Sequence, residues 1–279
     1  MKIINQKTNK EIDHTVIGFS GGERHVQLRG VTPTNIAEVT IRAQITNTEK
    51  LMDVLLIENA LRHKYGQELK LNLELPYMPY ARQDRVCAPG QAFSLEVFAK
   101  LLKTLRLSKL VTWDCHSQVG VELTNAENIA PVDIIKADNE LMKLLQDEDT
   151  VLICPDKGAV NRCNDIKDGL NLPNIVFCEK KRDPATGKIY KTDVLVDDLN
   201  GKCAVISDDI CDGGFTFIKI AEQLKEKNVE KIVLFVTHGI FSKGLEVFGG
   251  LIDQVITTNS FDQHQHEKLR VIDFEYNFK

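Results

Sequence analysis

Hydrophobic and polar residues alternate along the chain with two different periods, which predict strands and helices in turn. Leu69–Leu75 alternates strictly between leucine and polar residues, the pattern of a strand with one buried face. Glu49–Tyr65 has apolar residues at helical spacing, and we expect Thr48 to cap this helix and Gly66 to end it. A further helix is predicted with Ser94 as its cap and one apolar stripe, formed by Leu95, Phe98, Leu102 and Leu105.

The rest of the chain continues the alternation between short apolar runs and amphipathic segments. Further strands are predicted at Lys109–Trp113, Thr150–Cys154, Ile175–Cys178, Cys203–Ser207, Lys231–Val236 and Leu269–Phe274. Further helices are predicted at Asp138–Leu145, Gly158–Leu170 and Thr216–Lys227, with a turn at 185–187. Strands separated by helices of this length indicate parallel βαβ units and therefore an α/β fold. We place the division into two halves of similar size between Ile129 and Lys136.

Composition excludes several classes of protein. The 279 residues include 35 basic and 40 acidic side chains, and a net charge of -5 argues against a dedicated nucleic-acid binder. Every apolar run is far shorter than the roughly 20 residues that span a bilayer, and the polar N-terminus does not resemble a signal peptide. The seven cysteines are dispersed and form no Cys-x-x-Cys motif, so we expect neither a disulfide framework nor a structural zinc site. We therefore expect a reducing compartment and a cytoplasmic location.

The strongest candidate site follows the predicted strand Cys203–Ser207. Asp208 and Asp209 come directly after it, and a glycine pair precedes the next predicted helix. Backbone N–H groups of a glycine turn and a helix N-terminus can bind a phosphate, because they have no partner within the helix. Adjacent carboxylates can accept hydrogen bonds from vicinal ribose hydroxyls, so the segment suits a sugar phosphate. An acidic surface turn followed by a helix cap is the alternative.

Asp208–Thr216 resembles the loop that binds phosphoribosyl pyrophosphate (PRPP) in type I phosphoribosyltransferases and PRPP synthetases. Pro76–Arg85 separates the two families, because it resembles the Pro-Tyr-x-x-Tyr-Ala-Arg-Gln-Asp-Arg segment of PRPP synthetases, the ribose-phosphate pyrophosphokinases. Other segments match that family in the same order, and the resemblance covers nearly all of residues 19 to 260. These segments are Phe19–Glu23, Asp114–Ser117, Pro155–Ala159, Glu179–Arg182, Thr237–Ser242 and Val255–Ser260.

The resemblance implies an α/β fold of two tandem phosphoribosyltransferase-like domains, each with a mostly parallel central sheet flanked by helices. The first domain, residues 1–132, would hold the ATP-binding segments. The second, residues 133–279, would hold the ribose 5-phosphate loop and a basic catalytic loop. The implied reaction transfers the β,γ-pyrophosphoryl group of Mg-ATP to the 1-hydroxyl of ribose 5-phosphate and gives PRPP and AMP, with Mg²⁺ as cofactor.

The resemblance also assigns roles to individual residues. It implies catalytic roles for Lys180 and Arg182 and Mg²⁺-binding roles for His116 and Asp156. The implied ATP-binding residues are Phe19, Gly21, Glu23, Arg82, Gln83, Asp84 and His116. The implied ribose 5-phosphate-binding residues are Asp208, Asp209, Asp212, Gly213, Gly214, Phe215 and Thr216. Because the family builds its ATP site across a subunit interface, we expect a homo-oligomer of at least two chains, and a hexamer is compatible with the resemblance.

The chain departs from the family pattern without losing a catalytic group. The segment 86–92 is uncharged where the family has a basic loop, and Lys157 replaces a common histidine. In the PRPP loop, Phe215 replaces a usual glycine and Gly213 a usual threonine. Two alternatives to a catalytic PRPP synthetase are a non-catalytic regulatory or associated subunit and a type I phosphoribosyltransferase. The intact Lys180 and Arg182 favour the catalytic protein over the first alternative.

Overall fold

The computed structural model describes residues 1–30, 36–173, 175–182 and 189–278, which form two compact units. Unit 1 contains Met1–Ile129 and the last residues of the chain from Asn277, and unit 2 contains Ala130–Tyr276. Both units combine a sheet with helices. No helix within the described ranges is both long and apolar enough to cross a membrane.

Unit 1 is built on a six-stranded sheet. Its strands are β1 (Lys2–Asn5), β2 (Lys10–Glu11), β5 (Glu38–Arg42), β6 (Lys70–Leu75), β7 (Lys109–Trp113) and β8 (Glu127–Ile129), and a separate hairpin contains β3 (His14–Gly18) and β4 (Arg24–Leu28). The helices are α1 (Thr48–Tyr65), α2 (Ser94–Leu102) and α3 (Gln118–Thr124). The sheet order is β2-β1-β5-β6-β7-β8, and the pairs from β5 to β8 are parallel. The carboxyl ends of these four strands therefore lie at one edge of the sheet.

Unit 2 is built on a seven-stranded sheet. Its strands are β9 (Thr150–Cys154), β10 (Ile175–Arg182), β11 (Ile189–Val194), β12 (Cys203–Cys211), β13 (Lys231–Gly239), β14 (Gln254–Thr258) and β15 (Leu269–Ile272). The helices are α4 (Pro131–Ala137), α5 (Asn139–Gln146), α6 (Val160–Leu170) and α7 (Phe215–Lys225), with short 3-10 turns at Lys157–Ala159 and Glu246–Phe248. The order is β11-β10-β9-β12-β13-β14-β15, and only the β10–β11 pair is antiparallel within the described residues.

Strand β6 corrects the expectation of one buried face. Its leucines are buried, but Asn72 and Glu74 on the other face are also buried, at 3% and 1% exposure. The strand lies between β5 and β7, and its polar side chains have local partners. Asn72 Nδ2 donates to Glu38 Oε1 at 2.8 Å, and the Arg42 guanidinium binds both Glu74 carboxylate oxygens. Paired polar groups can be buried at little cost, so period-two alternation did not distinguish a central strand from a half-exposed one.

The predicted helix starts are partly wrong. Asn47, not Thr48, caps α1, because its side chain accepts a hydrogen bond from Lys50 N. Ser94 is the first residue of α2 and makes no cap bond, and the helix ends before Leu105. Asp138 caps α5 as expected, since its Oδ1 accepts from Leu141 N at 2.7 Å. Gly66 ends α1 at a φ of 99°, as predicted.

The structure lengthens the strands that carry the candidate chemistry. Strand β12 continues to Cys211, so Asp208 and Asp209 lie inside the strand and not after it. Strand β13 extends three residues beyond its predicted end, and β10 continues through Arg182, whereas β15 stops at Ile272. Strands β12 and β13 continue through polar residues because they pair with each other in parallel, whereas the added residues of β10 pair with β11 in the antiparallel direction. The predicted turn at 185–187 lies outside the described residues.

Candidate functional site

The first group of candidate residues occupies the tip of the β3–β4 hairpin. Phe19 N donates to Glu23 O at 2.8 Å, and Gly22 N donates to Phe19 O at 2.9 Å, which closes the turn around Gly21. Phe19 is 55% exposed. Directly after the tip, Arg24 donates from two nitrogens to both carboxylate oxygens of Asp53, at 2.8 and 2.6 Å. Because Asp53 is buried on α1, this bidentate pair anchors the tip to unit 1.

A second group surrounds a cavity of about 470 Å³ in unit 1. The residues come from the loops that follow β6 and β7, so the carboxyl edge of the sheet brings them together. The lining residues are Arg82, Gln83, Asp84, Arg85, Cys87, Gln91, Ala92, Ser94 and His116. Four of the proposed ATP-binding residues are among them. The hairpin tip at 19–23 is not part of this lining, as far as the described residues define it.

Two non-glycine residues in left-handed conformations shape the loops around this cavity. Tyr80 has a φ of 64° and Asp114 a φ of 39°. Such a conformation costs on the order of 1–3 kcal/mol and persists where the surroundings hold it. The Tyr80 ring packs on Phe98 with 5.5 Å between ring centroids, and Asp114 N donates to Ile129 O at 2.8 Å. Core contacts therefore fix the directions in which both loops leave the sheet.

Asp84 connects the two loops of the cavity. Its carboxylate accepts hydrogen bonds from Arg85 Nε at 2.8 Å and Arg85 Nη2 at 3.1 Å, and Ser117 Oγ donates to Oδ2 at 2.8 Å. The Arg85 bond is the main cause that lowers the pKa of Asp84, with Ser117 helping against partial burial. The Arg85 side chain is 74% exposed, so its guanidinium is oriented by Asp84 while it remains accessible to an anion.

The uncharged segment after Arg85 has a defined turn. Gln91 Oε1 accepts hydrogen bonds from the backbone N–H groups of Cys87 and Ala88, at 3.1 and 3.2 Å. All three residues are exposed and line the cavity or lie next to it. A side-chain amide thus supplies the local closure that orders this short segment.

The two proposed metal-binding residues lie in different units, and each has a chemistry suited to the role. Asp156 follows β9, and its Oδ1 accepts from Gly158 N at 2.8 Å and Ala159 N at 3.2 Å, which orients the carboxylate. His116 is exposed at the rim of the unit 1 cavity. Across the described ranges, no three His, Cys, Asp or Glu residues form a metal cluster. Mg²⁺ commonly takes one or two carboxylates and completes its shell with substrate phosphates and water, so Asp156 fits this ion.

The acidic pair lies near the carboxyl end of β12. Asp209 N donates to Asp208 Oδ1 at 3.0 Å, and Ile210 N donates to Asp209 Oδ1 at 2.8 Å. Burial raises the pKa of Asp208 well above its usual range, and repulsion from Asp209 and Asp156 adds to it. Burial, with Asp208 and Asp212, also raises the pKa of Cys211 to about 12. The strand end therefore concentrates partly dehydrated carboxylates.

The segment from Asp212 to Thr216 contains the turn that connects β12 to α7 and the first two residues of that helix. Gly214 has a φ of 78°, and a Cβ there would approach Phe248 Cε1 to 2.9 Å, so this position requires glycine. Gly214 O accepts from Phe217 N and Ile218 N, which begins the helix. A Cβ at Gly213 would come no nearer than 3.7 Å to its neighbour, Lys243, so that position tolerates a side chain.

Phe215 is the most prominent departure within this turn. It is the first residue of α7 and is 58% exposed. The Lys219 ammonium lies 5.9 Å from its ring centroid, one helical turn further along. Gly214 therefore supplies the left-handed conformation of the turn, and Phe215 begins the helix after it.

The proposed catalytic residues Lys180 and Arg182 are described only through their backbone. Both belong to β10, and their register partners on β11 are Thr192 and Ile189. A bulge or shift in register lies between Lys181 and Arg182. Their side chains lie outside the described residues.

Arg162 lies next to the acidic end of β12, and the sequence analysis did not identify it. Its Nη1 donates to Ser207 Oγ at 2.8 Å, its Nη2 donates to Thr237 Oγ1 at 3.4 Å, and its guanidinium carbon lies 5.8 Å from the Phe235 ring centroid. It lies in the first turn of α6, where the helix dipole disfavours a cation. An arginine at that unfavourable position, shortly after Asp156, was the signal available in the sequence.

Known proteins resemble this chain over most of its length. A family model described as "Phosphoribosyl synthetase-associated domain" matches residues 151–276. The "Ribose-phosphate pyrophosphokinase" of Mycoplasmopsis pulmonis is 34% identical over 233 residues, which cover 80% of this chain and 70% of the relative. The protein of the same name from Pyrococcus furiosus is 33% identical over 259 residues, which cover 91% of this chain and 86% of the relative.

A solved structure of phosphoribosylpyrophosphate synthetase from Mycobacterium smegmatis aligns with a TM-score of 0.78 and 24% identity, and covers 94% of this chain and 86% of that chain. This likeness confirms the predicted fold class, an α/β fold with two phosphoribosyltransferase-like units, each with a mostly parallel sheet flanked by helices. The identities to curated relatives over most of both chains confirm the resemblance found in the motifs. The chain is thus a member of the ribose-phosphate pyrophosphokinase family of enzymes.

Proposed function

We propose that the protein transfers the β,γ-pyrophosphoryl group of ATP to the 1-hydroxyl of ribose 5-phosphate, giving PRPP and AMP. The observation that carries the proposal is the arrangement at the end of β12, where two adjacent carboxylates precede a left-handed glycine and the start of α7. Within this enzyme family, such a strand end suits a phosphorylated pentose. Carboxylates bind its hydroxyls, and a helix start with a glycine turn binds its phosphate.

On the sugar side, Asp208 and Asp209 would accept hydrogen bonds from the 2- and 3-hydroxyls, directly or through a metal ion. The turn formed by Asp212, Gly213, Gly214, Phe215 and Thr216 would hold the 5-phosphate. The left-handed glycine at position 214 supports this role, because glycine turns of this kind let backbone N–H groups approach an anion closely. Binding at both ends of the sugar would fix the direction of its 1-hydroxyl.

On the nucleotide side, Arg82, Gln83, Asp84 and His116 would bind ATP in the unit 1 cavity. Guanidinium groups form paired hydrogen bonds with phosphate oxygens, which suits Arg82 and the exposed Arg85. The hairpin residues Phe19, Gly21 and Glu23 would complete the adenosine contacts from a neighbouring chain. The exposed Phe19 ring supports this part of the proposal, and with it a homo-oligomer of at least two chains.

A divalent metal ion, proposed to be Mg²⁺, would bind with ATP at Asp156 and His116. When bound, it supplies positive charge to the triphosphate oxygens. The protein's own contribution at Asp156 is a carboxylate held in place by two backbone N–H groups.

In the transfer step, the 1-hydroxyl oxygen would attack the β-phosphorus as the bond from that phosphorus to the bridging oxygen of AMP breaks. The hydroxyl proton is released, and AMP departs with the bridging oxygen. Lys180 and Arg182 would stabilise the charge on the transferring group, since such reactions rely mainly on positioning and charge neutralisation. Basic side chains placed beside the reactants would also help to exclude water and limit hydrolysis.

A non-catalytic subunit is the second candidate, favoured by the "synthetase-associated" description that matches residues 151–276. Incubation with Mg²⁺, ATP and ribose 5-phosphate separates the two. The catalytic proposal expects AMP to form only when the sugar is present. An associated subunit would bind nucleotide and form no AMP.

A further inference from the structure

We propose that Arg162 is a positioning residue for ribose 5-phosphate, which holds the acidic end of β12 in the arrangement that binds the sugar. This inference rests on the proposed function and deepens it. Arg162 itself is not proposed to touch either substrate. Its hydrogen bonds are to side chains of β12 and β13, the strands next to the carboxylates.

The geometry of the guanidinium supports this assignment. Its two terminal nitrogens reach hydroxyls on neighbouring strands, Ser207 on β12 and Thr237 on β13. Both hydroxyl-bearing residues are fully buried, and Ser207 directly precedes Asp208. A planar fork that binds two strands fixes their side chains more firmly than a single flexible ammonium could. Arg162 therefore restrains β12 at Ser207, the residue directly before the two aspartates that would bind the sugar hydroxyls.

Charge supports the same conclusion. Asp208 is repelled by Asp209 and Asp156, and Arg162 is a cation that attracts it. A cation beside three gathered carboxylates reduces their mutual repulsion. The same cation stands in the first turn of α6, where a positive charge is unfavourable by about 0.3–1 kcal/mol. A locally unfavourable residue with a specific compensating role is typical of functional sites.

The side chain is also restrained from the third direction. The guanidinium carbon lies 5.8 Å from the centroid of the Phe235 ring, within the range of a cation–π contact. Phe235 is fully buried on β13. Two hydroxyls and an aromatic ring thus leave the guanidinium little freedom, as expected of a group that orients others.

The test measures binding of ribose 5-phosphate by isothermal titration calorimetry, in the presence of Mg²⁺ and α,β-methylene-ATP, whose bridging carbon prevents transfer. We expect Arg162→Met to weaken sugar binding by roughly 10-fold or more, the scale of one lost charged hydrogen bond. The affinity of Arg162→Lys for ribose 5-phosphate should lie between that of Arg162→Met and that of the wild type. The affinity for the ATP analogue, measured alone, should change less than about twofold.

Two further variants keep the test decisive. Lys167→Met removes a half-buried cation from the same helix, one that pairs with Asp168, and should leave sugar binding unchanged. Ser207→Ala removes one hydroxyl partner while Arg162 remains, and should weaken sugar binding by about threefold to tenfold. This variant answers the question if Arg162→Met fails to fold, which a thermal melt would reveal.

The outcomes separate this inference from the proposed function. If the wild type binds ribose 5-phosphate and both Arg162→Met and Ser207→Ala bind it equally well, the positioning role is wrong while the proposed function stands. Equal weakening of sugar and nucleotide binding would indicate a general structural role and overturn the inference as well. If the wild type binds no ribose 5-phosphate, the proposed function itself fails and this inference fails with it.

Discussion

The proposed ATP-binding cavity of unit 1 and the acidic strand end of unit 2 are built in different ways. The cavity is formed by exposed loop residues, and a bond to Asp84 orients an arginine that is 74% exposed. The acidic strand end is part of the unit 2 sheet. It follows Ser207 on β12 and lies next to Thr237 on β13, and both of these residues are fully buried. One site presents positive groups to solvent, whereas the other gathers carboxylates over a partly buried cation.

This difference follows from the groups that each site would bind. A triphosphate carries its charge along an extended chain, so several exposed cationic forks can bind it without deep burial. Sugar hydroxyls are neutral donors, and aligning them takes fixed acceptors whose repulsion the protein must balance. The unit 1 cavity therefore depends on contacts between its loops, and the acidic end of β12 depends on buried side chains of β12 and β13.

The largest expected effect lies outside both binding regions. Lys180→Ala should lower kcat by about 10³-fold, because a cation that contacts the transferring group stabilises charge in the transition state. The KM values for ATP and ribose 5-phosphate should change much less. Steady-state kinetics on the purified variant provide the measurement, and a kcat near that of the wild type would remove Lys180 from the proposed step.

A smaller effect is expected from the acidic strand end. Asp209→Asn should raise the KM for ribose 5-phosphate by roughly 10- to 100-fold, the range for losing a charged hydrogen bond. The KM for ATP should stay nearly constant. Asp165→Asn, an exposed carboxylate on α6, is the matched control. Equal increases in both KM values would break the assignment of β12 to the sugar.

Substitutions at the unit 1 cavity should change KM less strongly, because Arg85 is exposed to solvent. Asp84→Asn removes the carboxylate that orients Arg85 and should raise the KM for ATP by about threefold to tenfold. The KM for ribose 5-phosphate should be unchanged. Glu96→Gln removes an exposed ion pair with Lys100 on α2 and should change neither KM. If ATP binding is unchanged in Asp84→Asn, Arg85 is not held for a phosphate.

The smallest effect concerns the frame of unit 2. Asp138 accepts two hydrogen bonds from Arg270 on β15, at 2.8 and 2.9 Å, while it caps α5. Asp138→Asn keeps a good cap and loses the ion pair, so it should lower the free energy of unfolding by about 1 kcal/mol. Asp138→Ala loses the cap as well and should cost about 1 kcal/mol more. Urea denaturation at pH 7 measures both differences.

The same pair has a pH dependence with a defined sign. Burial tends to raise the pKa of Asp138, but hydrogen bonds from Arg270 and Leu141 N outweigh it, so this pKa lies below its ordinary value of 3.8. The ionised carboxylate therefore stabilises the fold above that value, and the contribution is lost as the pH falls below it. The stability difference between wild type and Asp138→Asn should shrink on acidification. A difference that grows toward low pH would contradict the role of the ion pair.

The sequence allowed the fold class and seven of the fifteen strands in the described residues to be predicted, because apolar runs and helical stripes record burial directly. It failed where polar residues have buried partners. Glu74 was expected on an exposed face, yet it pairs with Arg42 in the sheet. Strand β12 was ended at the first polar residues, although parallel pairing carries it through Asp208.

The site shows the same limit. Loop motifs identified Arg82, Asp84 and His116, which the structure brings to one cavity, because such residues follow strands in the sequence. The supporting contacts of Ser117 and Arg162 join residues 33 and 45 positions apart. No local pattern encodes such pairs, so tertiary structure was needed to find them.

The most direct test of the proposed transfer is phosphorus NMR of the purified protein with Mg²⁺, ATP and ribose 5-phosphate, beside a control without the sugar. We expect the signals of AMP and of a pyrophosphorylated ribose phosphate to appear together, and only in the sample with sugar. ATP that remains intact in both samples, at every phosphate and divalent metal concentration tried, would contradict catalysis and favour the non-catalytic subunit.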